Sequence, residues 1–200
     1  MKLIGISGGI GSGKSVVSRV LSVKGYPVYD CDRNARRIME ENRGIHVLLH
    51  EHIHPDAVVD CKINRQLLSA VVFSNPTALQ RLKSIVHKAV FEDLLNWKES
   101  FETSGVAFVE SAILRSSGLY KYVDEEWMVT APKDIRIRRV MERSGLTREQ
   151  IENRIKSQAC EEKTAHDLIV RTIDNSGEKS VISQLHDLLD SMPIEKRAKS

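Results

Sequence analysis

A glycine-rich segment near the start of the chain constrains its fold more than any other feature of the sequence. Residues Gly8–Ser15 read G-G-I-G-S-G-K-S, which satisfies the pattern G-x-x-x-x-G-K-[ST] in full. The segment follows an apolar stretch typical of a buried strand, Lys2–Ser7, and precedes a predicted helix, Val16–Lys24, that Gly25 can end. A strand, a glycine-rich turn and a helix in that order surround a phosphate with backbone N–H groups. A glycine-rich turn that preceded Lys-Ser by chance would not need a strand before it and a helix after it.

The same segment predicts which residues bind a nucleotide. We expect Lys14 to reach the β- and γ-phosphates of ATP and the Ser15 hydroxyl to hold Mg²⁺. The nucleotide-binding residues predicted in this loop are Gly9, Ile10, Gly11, Ser12, Gly13, Lys14, Ser15 and Val16. The loop predicts that the chain binds a nucleotide, but it does not indicate which reaction the chain catalyses.

Apolar stretches alternate with helical ones along the rest of the chain. Four further strands are predicted, at Tyr26–Tyr29, Gly105–Glu110, Glu126–Thr130 and Leu168–Ile173. Their β-branched residues lack clean alternation, which is typical of strands buried on both faces of a parallel sheet. Two later helices are predicted by apolar residues at helical spacing, one from Leu79 to Trp97 and one through Val181, Ile182, Leu185, Leu188 and Leu189. We predict an α/β fold of the P-loop NTPase type, a five-stranded parallel sheet flanked by helices.

Composition excludes several classes of protein. The 200 residues carry 30 Lys plus Arg against 27 Asp plus Glu, and only 5% of them are aromatic. This balance of +3 and the scarcity of stacking side chains disfavour a nucleic-acid-binding surface. Cys31, Cys61 and Cys160 form no CxxC pattern and exclude a disulfide framework. No apolar run has the ~20 residues of a membrane span, so we expect a cytoplasmic protein that does not bind membranes.

Two carboxylates directly after the second predicted strand indicate a reaction type. Asp30 and Asp32 should lie at the sheet edge to which the first strand delivers the phosphate loop. A carboxylate near a γ-phosphate must hold Mg²⁺ or accept a proton from a nucleophile, and phosphoryl transfer to an alcohol uses the second role. We expect Asp32 to be the base and Asp30 a metal-side or structural partner. The alternative for Asp32, a cap on the helix that carries Asn34–Glu40, is equally open.

An arginine-rich region follows the fourth predicted strand. One helix face carries Arg136, Arg139 and Arg143, and a face roughly 120° away carries Ile137, Val140 and Met141. Thr147-x-x-Gln150 predicts a capping box that begins the next helix, on which Arg154 and Gln158 lie four residues apart. Two helices joined around Ser144–Leu146 resemble a lid that closes over phosphates, with guanidinium groups that neutralise charge during transfer. A solvated basic face is the alternative.

Three other polar positions are weaker candidates. Glu110 ends the third predicted strand, where an acidic residue can order Mg²⁺ through water. Asp174-Asn175-Ser176-Gly177 follows the fifth strand and either contacts an adenine, with Asn175 as the nucleotide contact, or caps the last helix. His87 lies on the long helix, where a surface role is the more common one.

In these residues the chain resembles the dephospho-coenzyme A kinase family, from about Lys2 to Leu189. The marks are I-S-G-G-I-G-S-G-K-S, D-C-D-R-N-A-R from Asp30 to Arg36, Asn64-Arg65 through Val72-Phe73, Arg139-x-x-x-Arg143, Arg154-x-x-x-Gln158 and Asp174 to Gly177. The chain departs from the family in two places, with His87-Lys88 for His-Pro and Ala112-Ile113-Leu114-Arg115-Ser116 for P-L-L-F-E.

The resemblance implies a division of labour among these residues. Asp32 would be the base acting on the ribose 3′-hydroxyl of dephospho-coenzyme A, and Lys14, Arg139 and Arg143 would be the other catalytic residues. Arg36, His87 and Arg154 would contact this acceptor, ATP and Mg²⁺ would be required, and no obligate protein partner is implied. We expect one domain over 1–192, with a helical acceptor-binding insertion at about 34–104, a lid at about 132–158 and a frayed basic tail at 193–200.

Two other functions are disfavoured by the sequence. A nucleoside monophosphate kinase has a phosphate as acceptor and needs little help from a base, so the Asp30 and Asp32 pair counts against it. A GTPase switch needs N-K-x-D, and no Asn-Lys pair occurs in the chain. The L-S-G-G signature of transport ATPases is also absent.

Overall fold

The computed structural model describes residues 1–101, 105–161 and 168–192. It divides into two compact units, one built from Met1–Asp30 and the described chain after Phe101, the other from Cys31–Phe101. The strands are β1 (Lys2–Ser7), β2 (Val28–Asp30), β3 (Val58–Val59), β4 (Lys62–Ile63), β5 (Val106–Glu110), β6 (Glu125–Thr130) and β7 (Ile169–Asp174). The helices are α1 (Lys14–Val23), α2 (Cys31–Glu41), α3 (Arg43–His52), α4 (Arg65–Ser74), α5 (Pro76–Glu99), α6 (Lys133–Ser144), α7 (Arg148–Glu161) and α8 (Val181–Asp190).

The first unit contains the predicted five-stranded parallel sheet. Its strand order is β2-β5-β1-β6-β7, and every neighbouring pair is parallel. β1 is therefore central, with β5 and β6 on its two sides, and its carboxyl end carries the glycine-rich loop to the middle of the sheet edge. The predicted sheet flanked by helices is confirmed, although the second strand is Val28–Asp30 rather than Tyr26–Tyr29.

One face of the sheet packs against α1 and α8. The fully buried cluster on this face joins strand residues to both helices, and its members are Ile4, Ile6, Val17, Leu21, Phe108, Trp127, Val129, Ile173 and Leu185. α1 begins at Lys14, two residues before the predicted start, because the carbonyl of Gly13 already accepts from Val16 and Val17 at 3.0 and 3.3 Å. Ile182 was among the apolar residues predicted to form the last helix, but it is 60% exposed, and the buried residue of α8 is Leu185.

α6 and α7 form a hairpin with its own small core. Ile137, Val140 and Ile151 are buried together, and Ile10 of the glycine-rich loop packs against them. Met141 was predicted on the same apolar face but is 42% exposed, since the face in contact with α7 is narrower than the sequence pattern. The capping box is confirmed, because Thr147 N–H donates to Gln150 Oε1 at 3.0 Å and Gln150 N–H to Thr147 Oγ1 at 3.3 Å.

The second unit is mainly helical. α5 packs against α2, α3 and α4, and Asn42, Asn64 and Asn75 cap the starts of α3, α4 and α5. The insertion at about 34–104 was predicted to be helical, yet β3 and β4 form an antiparallel hairpin in it. Its two-residue turn uses Asp60 and Cys61 at φ 50° and 60°, without the glycine or Asn-Gly signature that marks such turns in a sequence.

Two further predictions concern membrane-spanning helices and the C-terminal tail. In the part that the structure describes, no helix combines the length and apolarity needed to cross a membrane. The predicted basic tail at 193–200 lies outside the described residues.

Candidate active site

The glycine-rich loop connects β1 to α1 in a conformation that only glycine adopts easily. Gly8, Gly11 and Gly13 have φ values of 138°, 78° and 99°. A side chain on these glycines would also collide with neighbouring groups. A Cβ at Gly11 would lie 2.5 Å from the carbonyl oxygen of Arg136, and one at Gly13 would overlap the side-chain amide of Asn175. The loop is therefore a close-packed cradle on the N-terminus of α1, a helix end that favours anions.

The loop buries one hydroxyl group that has no hydrogen-bond partner among the described residues. Ser12 is 1% exposed, and its hydroxyl makes no hydrogen bond to residues 1–101, 105–161 or 168–192. Lys14 Nζ donates to the carbonyl of Gly8 at 2.7 Å, so its ammonium is folded back over the loop. Ser15 and Val16 are exposed in the first turn of α1. A buried hydroxyl without a partner is costly, so this cradle suits a ligand with oxygen acceptors.

Asn175 holds the loop from the side of β7. Its Nδ2 donates to the carbonyl of Ser12 at 2.8 Å, and its backbone N–H donates to Thr130 at 2.8 Å. The open alternative, in which Asp174 to Gly177 caps the last helix, is wrong because Ser180 caps α8. The structure thus brings Asn175 against the phosphate loop.

The α6–α7 hairpin also contacts the loop. Arg136 Nε donates to the carbonyl of Ile10 at 2.9 Å, and Gln158 Oε1 accepts from the N–H of Ile10 at 2.7 Å. The sequence placed Arg136 on a shared arginine face and Gln158 four residues after Arg154, but it predicted no partner for either. The helical spacing was the available signal, and it could not identify a contact 148 residues away.

The other cations of the α6–α7 hairpin differ in their surroundings. Arg139 is half-buried, and its buried Nη1 has no hydrogen-bond partner among the residues that the structure describes, whereas Arg143 and Arg154 are exposed. Lys133 and Arg148 instead pair with Glu152 at 3.0 and 3.6 Å, which ties α6 to α7. The hydrogen bond and charge of Lys133, together with the charge of Arg148, hold the pKa of Glu152 below its ordinary value. The basic residues of this arginine-rich region therefore include cations that stabilise the hairpin itself.

Two of the predicted carboxylates lie at the carboxyl edge of the sheet. Asp30 and Glu110 end β2 and β5 and face each other in register, and Glu110 is likewise in register with Ile6 of β1. Over the described ranges, no group of three or more His, Cys, Asp or Glu side chains gathers as a metal site would require. Any cation here would need oxygen atoms from a ligand and water as well, which is how Mg²⁺ binds in phosphoryl-transfer sites.

The predicted acceptor-contacting residues Asp32, Arg36 and His87 belong to the second unit. Asp32 is exposed in the first turn of α2, which begins at Cys31, so the alternative role as a cap on that helix is wrong. Arg36 is exposed one turn later, and His87 is half-buried on α5, which packs against α2. The structure therefore brings these three residues onto two contacting helices.

A buried ion pair lies beneath the phosphate loop. Glu126 on β6 is fully buried, and Arg115 donates to its Oε2 through Nε and Nη2 at 3.1 and 2.9 Å. Ser7, the last residue of β1, donates its hydroxyl to the other oxygen of Glu126. Arg115 is one of the residues that depart from the family pattern after the third predicted strand. Its partner on the next strand explains how the sheet accommodates the charge.

The fold and the loop together define a class of protein. A parallel α/β sheet whose central strand ends in G-x-x-x-x-G-K-S, with an arginine-bearing helical hairpin over the loop, is that of a P-loop kinase. The sequence model of the Dephospho-CoA kinase family matches residues 2–180. The chain belongs to this family, whose members phosphorylate dephospho-CoA with ATP in the last step of coenzyme A biosynthesis.

Individual relatives agree. A Dephospho-CoA kinase from Bacteroides fragilis is 36% identical over 186 residues, which cover 93% of this chain and 90% of the relative. One from Thermus thermophilus is 38% identical over 161 residues, 80% and 77% of the two chains. A crystal structure of a Thermus thermophilus protein superposes with a TM-score of 0.78 at 34% identity, covering 96% of this chain and 97% of that one. The Dephospho-CoA kinase from Campylobacter jejuni shares the fold, with a TM-score of 0.64 at 22% identity over 95% and 96% of the chains.

Proposed function

We propose that this chain transfers the γ-phosphoryl group of ATP to the ribose 3′-hydroxyl of dephospho-CoA with the residues predicted from its sequence. The observation that carries the proposal is the phosphate loop, in which Ser12 has a buried hydroxyl without a partner and the glycines leave room for nothing larger than hydrogen. Those backbone N–H groups of the loop that make no hydrogen bond within the protein bind the phosphates of ATP, while the N–H of Ile10 stays bonded to Gln158. Lys14 moves from the Gly8 carbonyl to the β- and γ-phosphates, which are better acceptors because they are charged.

Mg²⁺ belongs to this proposal through the chemistry of the available oxygen atoms. The Ser15 hydroxyl is exposed at the start of α1, and the carboxylate of Glu110 lies at the adjacent sheet edge. One hydroxyl as a direct ligand and one carboxylate acting through water, with phosphate oxygens, form an all-oxygen set that suits Mg²⁺. The ion would supply neutralisation of the charge on the transferring group.

The acceptor chemistry rests on Asp32. Its exposed carboxylate in the first turn of α2 accepts the proton of the 3′-hydroxyl as the phosphoryl group arrives. Arg36 on the same helix, His87 on α5 and Arg154 on α7 bind the charged groups of the acceptor. This set supports residues 34–104 as an acceptor-binding insertion, with the α6–α7 hairpin as a lid.

Arg139 and Arg143 of α6 neutralise the negative charge on the phosphoryl group during transfer. Within the described part of the chain the buried Nη1 of Arg139 has no hydrogen-bond partner, and a guanidinium group in that state binds an anion at little further cost of desolvation. Most of the rate then comes from position and charge, because the transition state of phosphoryl transfer is loose.

We place this reaction in the cytoplasm with a small molecule as the only partner. The mild net charge of +3 supports the prediction that the chain binds no nucleic acid. The three scattered cysteines support a reducing compartment, and the family role supports neither a membrane nor an obligate protein partner.

The test is ADP formation from ATP and Mg²⁺ with purified protein. We expect ADP to appear only when dephospho-CoA is added, and coenzyme A to accumulate in equal amount. Lys14→Met should abolish ADP formation because the ammonium group is lost. It should not unfold the protein because the aliphatic part of the side chain is retained. Equal turnover with AMP, or full activity of Lys14→Met, would contradict the proposal.

A further inference from the structure

Ile10 is the point at which the phosphate loop is attached to the α6–α7 hairpin. Its side chain packs against Ile137, Val140 and Ile151 of the hairpin core. Its carbonyl accepts from Arg136 and its N–H donates to Gln158, so both polar groups of this loop residue are bound by the hairpin. Because Ile10 belongs to the phosphate loop, the side chains of Arg136 and Gln158 that bond to it lie beside the expected position of the phosphates.

The hydrogen bond to Ile10 fixes how the Gln158 carboxamide is oriented. A backbone N–H can only donate, so the atom of Gln158 at 2.7 Å must be the oxygen. The amide NH₂ then points to the other side, away from Ile10. In residues 1–101, 105–158 and 168–192, no acceptor is bonded to this NH₂, so its two N–H groups remain for a ligand.

The same side chain lines a cleft at the root of the phosphate loop. Ser7, Gly8, Arg115 and Met128 line this cleft together with Gln158. Lys14 Nζ lies 2.7 Å from the carbonyl of Gly8, so the cleft adjoins the ammonium group that serves the β- and γ-phosphates. Gln158 thus stands on the side of the loop where the terminal phosphate is expected.

We propose that Gln158 is a phosphate-contacting residue of this kinase. Its Oε1 keeps the hydrogen bond to the Ile10 N–H, and its Nε2 donates to an oxygen of the γ-phosphoryl group during transfer. The bond to Ile10 holds the donor in place before the reaction, so no reorientation is needed as charge shifts within the transferring group. The proposal rests on ATP occupying the phosphate loop as described above.

The decisive variant is Gln158→Glu. A glutamate keeps an oxygen acceptor for Ile10 but exchanges the NH₂ donor for a second carboxylate oxygen. We expect kcat to fall by about 10²-fold or more, since removal of one aimed donor costs 10²–10³ in comparable sites. Affinity for ATP should fall more than affinity for ADP, because only ATP carries the γ-phosphate. A role limited to anchoring Ile10 would leave both quantities within about threefold of the parent.

A second variant and a control separate this contact from general effects. Gln158→Met removes donor and acceptor without adding charge, and we expect it to lower kcat by at least about tenfold. Gln150→Glu makes the same charge change on the same helix while preserving the capping box, and it should match the parent. Normal kcat in Gln158→Met, or an equal loss of ADP and ATP affinity in Gln158→Glu, would overturn the proposal. Failure of ATP to bind the parent would instead contradict the proposed function.

Discussion

The side-chain amide of Asn175 donates a 2.8 Å hydrogen bond to the carbonyl of Ser12, in the middle of the phosphate loop. The close contact depends on Gly13, where any Cβ would overlap the Asn175 amide. A residue 163 positions away therefore orients a peptide unit of the loop. The hydroxyl of the same Ser12 is buried without a hydrogen-bond partner in the part of the chain that the structure describes. The end of β7 is part of the nucleotide site in this sense.

The first prediction concerns that contact. Asn175→Asp replaces the donor with a carboxylate oxygen that repels both the Ser12 carbonyl and the phosphates, so we expect the Kd for ATP to rise about tenfold or more, the factor that corresponds to ~1.4 kcal/mol. Isothermal titration with ATP measures it, and the KM for the acceptor should not change. Asn64→Asp is the matched control, because aspartate caps α4 as well as asparagine does. ATP affinity within twofold of the parent would contradict the role of Asn175.

The second prediction concerns the proposed base. Asp32→Asn removes a proton acceptor while preserving shape, and we expect kcat to fall by about 10²-fold or more with little change in ATP affinity. Steady-state kinetics and nucleotide titration on the same sample separate the two effects. Asp60→Asn is the control, because asparagine tolerates the φ of 50° at this hairpin position. Turnover of Asp32→Asn within a few-fold of the parent would remove Asp32 from this role.

The third prediction concerns the ion pair beneath the loop. Arg115→Met leaves the fully buried carboxylate of Glu126 without its cation and should lower the free energy of unfolding by about 3–5 kcal/mol in urea denaturation. The double variant Arg115→Met with Glu126→Leu removes both charges, and we expect it to lie within about 1 kcal/mol of the parent. If the double variant is as unstable as Arg115→Met alone, Arg115 stabilises the fold through contacts other than Glu126.

The glycine-rich loop shows which part of the site a sequence can predict. Its chemistry needs contiguous residues, because successive N–H groups and the first turn of α1 surround one phosphate. Gly8–Ser15 could therefore be identified without any tertiary contact. The exact matches of Lys2–Ser7 and the capping box at Thr147 have the same local origin.

The contacts that hold the loop could not be predicted in this way. Gln158 and Asn175 reach Ile10 and Ser12 across nearly the whole chain, and a sequence pattern carries no signal for which backbone atom a distant amide will meet. The turn at Asp60 and Cys61 escaped prediction for a different reason, since both residues adopt positive φ values without being glycine. Tertiary packing decided each of these cases.

The last prediction concerns the dependence of stability on pH through Glu125 on β6. Burial by itself raises the pKa of this nearly inaccessible carboxyl group, but hydrogen bonds from Lys2, Trp127 and Arg171 outweigh burial and leave the pKa below its ordinary value of 4.5. The ionised group therefore stabilises the fold at pH values above 4.5, and this contribution is lost as the pH falls through the lowered pKa of the folded state. Glu125→Gln has no proton to bind, so the difference in free energy of unfolding between parent and variant should shrink steadily below pH 4.5. Urea denaturation of both proteins between pH 7 and about pH 3 measures this difference. A difference that stays constant over that range would show that Glu125 binds protons equally in the folded and unfolded states.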